Sequence, residues 1–140
     1  MTKILIIEAR FYGHLADMGL EGAKAAIEAA GATYDVVTVP GCLEIPAALL
    51  FAKDHYDGFV TLGCVIRGKT THYEMVSNES FRGIYNIAHH NGLCVGNGIQ
   101  TVENEAQAIE RLHPEQMNKA GAAARAALRL IEIKKQYANG

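Results

Sequence analysis

Four short apolar runs alternate along this chain with stretches whose apolar residues recur every three or four positions. That alternation limits the fold more than any other feature. Ile4-Leu5-Ile6-Ile7 is a continuous apolar run, as expected of a strand covered on both faces. Ala16, Leu20, Ala23, Ile27 and Ala30 then mark one face of a helix that Gly31 stops. A second strand is predicted from Tyr34 to Val39, ended by Pro40-Gly41. Pro46 falls where a helix tolerates proline, in the first turn of a segment carrying Ala47, Ala48, Leu50 and Phe51. Phe59, Val60, Leu62, Val65 and Ile66 make a third strand. A helix should follow from Thr71 through Val76, Ser80, Gly83, Ile84 and Ile87 to about Asn91. Leu93-Cys94-Val95 reads as a short fourth strand leading into a Gly96-Asn97-Gly98 turn. Two helices close the chain, about Glu103 to Leu112 and about Asn118 to Tyr137, the last rich enough in alanine for a second helix to approach closely.

Strands and helices in this order predict βαβ units with right-handed crossovers. The fold class is therefore α/β: a three-layer α/β/α sandwich with a four-stranded parallel, flavodoxin-like sheet, the whole of residues 1–140 forming one domain. Ligands of such sheets bind outside the strand C-terminal ends, so the turns there are the candidates for function.

The turn after the third strand is the most telling. In Gly68-Lys69-Thr70-Thr71-His72-Tyr73-Glu74, Gly68 allows a sharp change of direction, and Thr71 with Glu74 has the spacing of a capping box. Thr71 is then the N-cap and His72 the first helical residue. The free N–H groups of Lys69, Thr70 and Thr71 would favour an anion, and the helix dipole would keep the His72 imidazole neutral and able to take a proton. Such a cradle beside an acid–base group suits a phosphorylated small molecule; an exposed histidine on a well-capped helix is the plainer alternative. At the first strand's end, Phe11 can stack on a planar ring or tuck against the following helix. At the second, Glu44 can accept from ligand hydroxyls or serve only as an acid favoured by the helix dipole.

Composition removes several other classes. A formal net charge of −2 provides no basic field for nucleic acid or a membrane surface, and no window approaches the length of apolar sequence that spans a bilayer. Cys42, Cys64 and Cys94 are odd in number and lie in or beside apolar runs, as buried thiols of a reducing compartment do, so a cytoplasmic location is expected. The histidines show no metal-ligand spacing, and no metal is expected.

Taken together, these segments resemble the 6,7-dimethyl-8-ribityllumazine synthases of riboflavin biosynthesis. The matching pieces are Ala9-Arg10-Phe11, Leu20-Glu21-Gly22-Ala23, Val39-Pro40-Gly41 with Glu44-Ile45-Pro46, Gly63 through Gly68 with Thr70-Thr71-His72, and Gln107-Ala108-Ile109-Glu110-Arg111 before Asn118-Lys119. They stand in family order across almost the whole chain. The resemblance implies a transferase that condenses 5-amino-6-(D-ribitylamino)uracil with L-3,4-dihydroxy-2-butanone 4-phosphate through a Schiff base, releasing phosphate and water, without a cofactor. It also implies roles. Phe11 would stack on the pyrimidine; Cys42, Leu43 and Glu44 would hold the ribityl chain; Cys64, Val65 and Ile66 would offer main-chain hydrogen bonds to the uracil edge.

By the same resemblance, Lys69 and Thr70 would bind the butanone phosphate and His72 would shuttle protons. Asn97, Arg111 and Lys119 would come from a neighbouring subunit of a pentameric ring, with Arg111 on the phosphate. Four positions depart from the usual family pattern: Tyr12 for asparagine, Leu43 for an aromatic, Lys69 for glutamate or alanine, and Asn97 for phenylalanine. The connection Leu112-His113-Pro114-Glu115-Gln116-Met117 lacks the glycine-rich turn associated with sixty-subunit shells, which favours a free pentamer.

Overall fold

The computed structural model describes residues 1–138. Its order is β1 (Lys3–Ala9), α1 (Gly13–Ala29), β2 (Thr33–Val39), a short 3-10 turn (Cys42–Glu44), α2 (Ile45–Ala52), β3 (Gly58–Ile66), α3 (His72–Asn91), β4 (Val95–Val102), α4 (Glu105–Leu112) and α5 (Lys119–Ala138). All strand pairings are parallel, in the order β2-β1-β3-β4. Successive residues of β1 face opposite sides of the sheet, as the pleat requires. Ile4 and Ile6 pack with Ala23 and Ile27 of α1 and with the alanines of α5, while Leu5 and Ile7 pack with Ile45, Leu49, Val76 and Ile84 of α2 and α3. The result is a three-layer α/β/α, flavodoxin-like fold.

The runs in β1, β3 and β4 became strands buried on both faces, whereas β2, at the sheet edge, is largely exposed, with Val36 and Val37 each 37% exposed. Gly31 (φ +74°) and Gly92 (φ +62°) end α1 and α3 in the left-handed conformation that glycine adopts without penalty. Pro46 sits in the first turn of α2, as expected. Of that helix, however, only Ile45 and Leu49 are buried, and Phe51 is 77% exposed, so its apolar character is not confined to the core face.

Three expectations need correction. The fourth strand does not stop before a Gly96-Asn97-Gly98 turn. It runs through these residues, with Val60 opposite Gly96, Thr61 opposite Asn97 and Leu62 opposite Gly98. The glycines do admit a close neighbour, but it is α5: a β-carbon on Gly96 would lie 1.8 Å from the Ala123 carbonyl oxygen. The buried face of α1 is also shifted, to Leu15, Gly19, Gly22, Ala23 and Ile27, because two glycines serve there as spacers. Asn118, at φ +47°, fills the space over Gly22 and accepts from the Gly121 N–H at 3.2 Å.

The third correction concerns the capping box. Thr71 precedes α3 but makes no side-chain cap; the His72 N–H donates instead to Thr70 Oγ1 at 3.2 Å. Glu74, the partner expected to reach back, is ion-paired with Arg67 at 3.1 Å. The α4 cap lies one residue later than the expected helix start, with Asn104 accepting from the Gln107 N–H.

Candidate active site

The sheet order places β1 and β3 side by side with their connections leaving in opposite directions, which opens a crevice at their C-terminal ends. A cavity of about 340 Å³ lies there. Its four walls come from three connections: the β1–α1 loop, the 3-10 turn after β2, and the two sides of the β3–α3 connection, namely the end of β3 and the first turn of α3.

The β1–α1 loop contributes Phe11 and Tyr12. Phe11 is 75% exposed, so it does not tuck against α1, and it is steadied by an edge-on contact with Tyr12 (centroids 4.9 Å apart, 79° between planes). The loop is anchored from below. Glu8, only 3% exposed, receives hydrogen bonds from Arg10 Nε and Thr38 Oγ1, each at 2.7 Å, and Arg10 also reaches Asp17 at 2.7 Å.

The 3-10 turn brings in Cys42, Leu43 and Glu44. Cys42 is buried in the cavity wall, whereas the Glu44 side chain is exposed and makes no cap bond to α2. Cys64, Val65 and Ile66 line the floor at the end of β3. Burial pushes the Cys42 thiol up to about 12, with Cys64 and Glu44 adding to the effect and the Cys64 N–H opposing it. Burial likewise pushes Cys64 up to about 11. Neither thiol supplies a thiolate near neutral pH, so neither has the setting of a cysteine nucleophile.

The fourth wall holds Gly68, Thr70, His72 and Tyr73. The His72 side chain is exposed and lines the cavity from the first residue of α3. Tyr73 and Val76 were not among the expected site residues. Their signal was helical spacing: together with Ser80 they form the face of α3 turned to the sheet.

The cavity thus gathers Phe11, Cys42, Leu43, Glu44, Cys64, Val65, Ile66, Thr70 and His72. Four expected residues do not line it. Lys69 is exposed on the turn. Asn97 lies within the sheet, its Oδ1 accepting from Thr61 Oγ1 at 3.0 Å and from the Ile99 N–H at 3.1 Å. Arg111 is on α4, and Lys119 is an exposed residue at the start of α5. Among the described residues no group of histidine, cysteine and carboxylate side chains could hold a metal ion. No described helix is long and apolar enough to cross a membrane.

The family model of 6,7-dimethyl-8-ribityllumazine synthase matches residues 1–135. The chain belongs to that family. A lumazine synthase of this name from Agrobacterium fabrum is 56% identical over 140 residues, covering 95% of each chain. One from Zymomonas mobilis is 56% identical over 138 residues, covering 97% of this chain and 99% of its own. One from Sphingopyxis alaskensis is 51% identical over 142 residues, covering both chains in full. The lumazine synthase relationship therefore spans every wall of the cavity.

Proposed function

We propose that this cavity condenses 5-amino-6-(D-ribitylamino)uracil with L-3,4-dihydroxy-2-butanone 4-phosphate to 6,7-dimethyl-8-ribityllumazine, releasing phosphate and water, as a step of riboflavin biosynthesis. The observation that carries the reading is the arrangement of one cavity, with an exposed aromatic ring at one end and a helix-opening turn with a histidine at the other. The two ends suit a planar pyrimidine and a phosphate ester.

In this reading Phe11 stacks on the pyrimidine, and the main chain of Cys64, Val65 and Ile66 serves its polar edge. Glu44, with Cys42 and Leu43, holds the ribityl hydroxyls. Lys69 and Thr70 present the amides and hydroxyl that bind phosphate. The substrate's 5-amino group attacks the ketone and loses water to form a Schiff base; phosphate leaves; the product tautomerises, and the second nitrogen closes the ring with loss of another water. His72 moves the protons. The amine is already a nucleophile, so holding two substrates in attack geometry provides most of the acceleration.

Arg111, Lys119 and Asn97 act from a neighbouring subunit, Arg111 on the phosphate, in a pentameric ring. Support comes from their position: two cationic side chains lie off the protomer's own cavity, while Gly68, Thr70 and His72 at its phosphate end are exposed. The chain acts as one domain, and free thiols at Cys42, Cys64 and Cys94 suit a cytoplasmic enzyme.

Mixing the two substrates with the protein tests the reading directly. Appearance of lumazine absorbance together with inorganic phosphate is the expected result. Tight binding of lumazine without turnover would instead mark a carrier and overturn the catalytic assignment.

A further inference from the structure

Arg67 does not line the cavity, yet it ties the end of β4 to the first turn of α3, where Tyr73 is a cavity wall. Its backbone N–H donates to the Val102 carbonyl at 2.9 Å, extending the β3–β4 ladder by one bond beyond the strand. Its side chain then reaches in two directions. Nη1 pairs with Glu74 Oε1 on the first turn of α3 at 3.1 Å, and Nε pairs with Glu103 Oε2, just beyond β4, at 3.1 Å. The guanidinium also lies over the ring of Tyr73, 4.8 Å from its centroid, and Tyr73 is a wall of the cavity.

Between these two anchor points run Gly68, Lys69, Thr70 and Thr71, all exposed and held by little of their own. Thr70 Oγ1 accepts from the His72 N–H, and the Thr71 carbonyl accepts from the Met75 N–H at 3.2 Å. The helix lacks the side-chain cap that would otherwise define its start. A glycine-led turn of this kind has many shapes available to it. What restricts it is the fixed separation between the sheet edge, where Arg67 starts, and Tyr73-Glu74, where its guanidinium lands.

We propose that Arg67 is a positioning residue: a clasp that holds the 68–71 turn in the shape that receives the phosphate group. The inference rests on the proposed function and deepens it. Arg67 is not itself a phosphate ligand, because its charge is met by two carboxylates. A planar fork is needed to satisfy Glu74 and Glu103 while stacking on Tyr73, and an ammonium group has no such geometry. Glu74 is the more dependent partner: its Oε2 is buried and has no hydrogen-bond partner among the described residues. Without Arg67, that carboxylate would draw water into the root of the turn and release it.

The test is steady-state kinetics on the full chain with Arg67→Ala and Arg67→Lys, with inorganic phosphate as a competing ligand and thermal unfolding recorded for each variant. Arg67→Ala should raise KM for the butanone phosphate, and the inhibition constant of inorganic phosphate, by about tenfold, while KM for the pyrimidine stays within about twofold. Arg67→Lys, which keeps the charge and the fold, should recover little of the loss. Wild-type behaviour in Arg67→Lys would show that charge alone matters and would overturn the clasp, as would an equal rise in both KM values. A wild-type protein that forms no lumazine would sink the proposed function, and this inference with it. An active wild type with unaltered Arg67 variants would sink the clasp alone.

Discussion

The Cys42 sulfur occupies the place that a side chain on Gly63 would need: a β-carbon built on Gly63 would lie 2.5 Å from Cys42 Sγ. The two residues come from different elements, the 3-10 turn after β2 and strand β3, and their contact sets how close that turn lies to the cavity floor. Gly63→Ala should therefore lose about 1–3 kcal/mol of stability, as overpacked sites do. The same change should raise KM for the pyrimidine substrate more than for its partner. Chemical denaturation and the two KM values check both halves.

A stronger effect is expected at Gly96. There the obstacle is backbone, the Ala123 carbonyl of α5, which cannot rotate away. Gly96→Ala should cost about 3 kcal/mol or more, at the upper end of overpacking effects, and lower the yield of soluble protein. A thermal unfolding midpoint equal to that of the wild type would show that α5 is free to lift from β4.

His72→Ala should slow turnover by about 10²–10⁴-fold, the usual range for a single acid–base group, and leave measurable activity because substrate alignment remains. Phe11→Ala should leave the phosphate substrate's KM alone and weaken the pyrimidine by roughly 0.5–1.5 kcal/mol, the range for an aromatic stack. Pre-steady-state mixing separates the two variants: the first binds normally and reacts slowly, the second binds poorly.

The thiols lead to a prediction about pH. Cys42 and Cys64 ionise near 9 when unperturbed but at about 12 and about 11 in the folded chain. Above pH 9 the unfolded chain therefore sheds protons that the folded chain keeps. Their contribution to stability is complete below pH 9 and is lost as pH rises towards 11 and 12. Urea denaturation between pH 8 and 10 should show stability falling in the wild type and a shallower slope in Cys42→Ala/Cys64→Ala, the difference isolating the thiols from Tyr34 and Tyr56, whose raised phenols act in the same direction towards pH 10. Alkylation of both thiols at pH 8 should be slow until the protein is unfolded.

Much of this architecture was legible in the sequence because β1 and β3 contain continuous apolar runs and glycines stop α1 and α3. What escaped notice has a common cause. Gly96 and Gly98 look like a turn in sequence, since glycine contributes no side chain to a sheet; only the crossing of α5 reveals why they belong in a strand. Gly19 and Gly22 hid the true inner face of α1 in the same way. At the turn before α3, the Thr71–Glu74 spacing pointed to a local cap, but Arg67, held in register by β4, competes for Glu74. A pattern within four residues could not reveal a partner that the sheet brings in. The cavity residues were legible where they sit beside strand ends; Tyr73 was not, because its helical position reads equally well as core.

The position of Arg111 on α4, away from the cavity of its own protomer, has a genetic corollary. Alleles carrying His72→Ala and Arg111→Ala would each impair growth without riboflavin, yet co-expression should restore it. If each cavity pairs His72 of one subunit with Arg111 of the next, random mixing would leave about a quarter of them with both residues intact. Complementation between two damaged copies would thus reveal the borrowed arginine in living cells, and its failure would return that arginine to its own subunit.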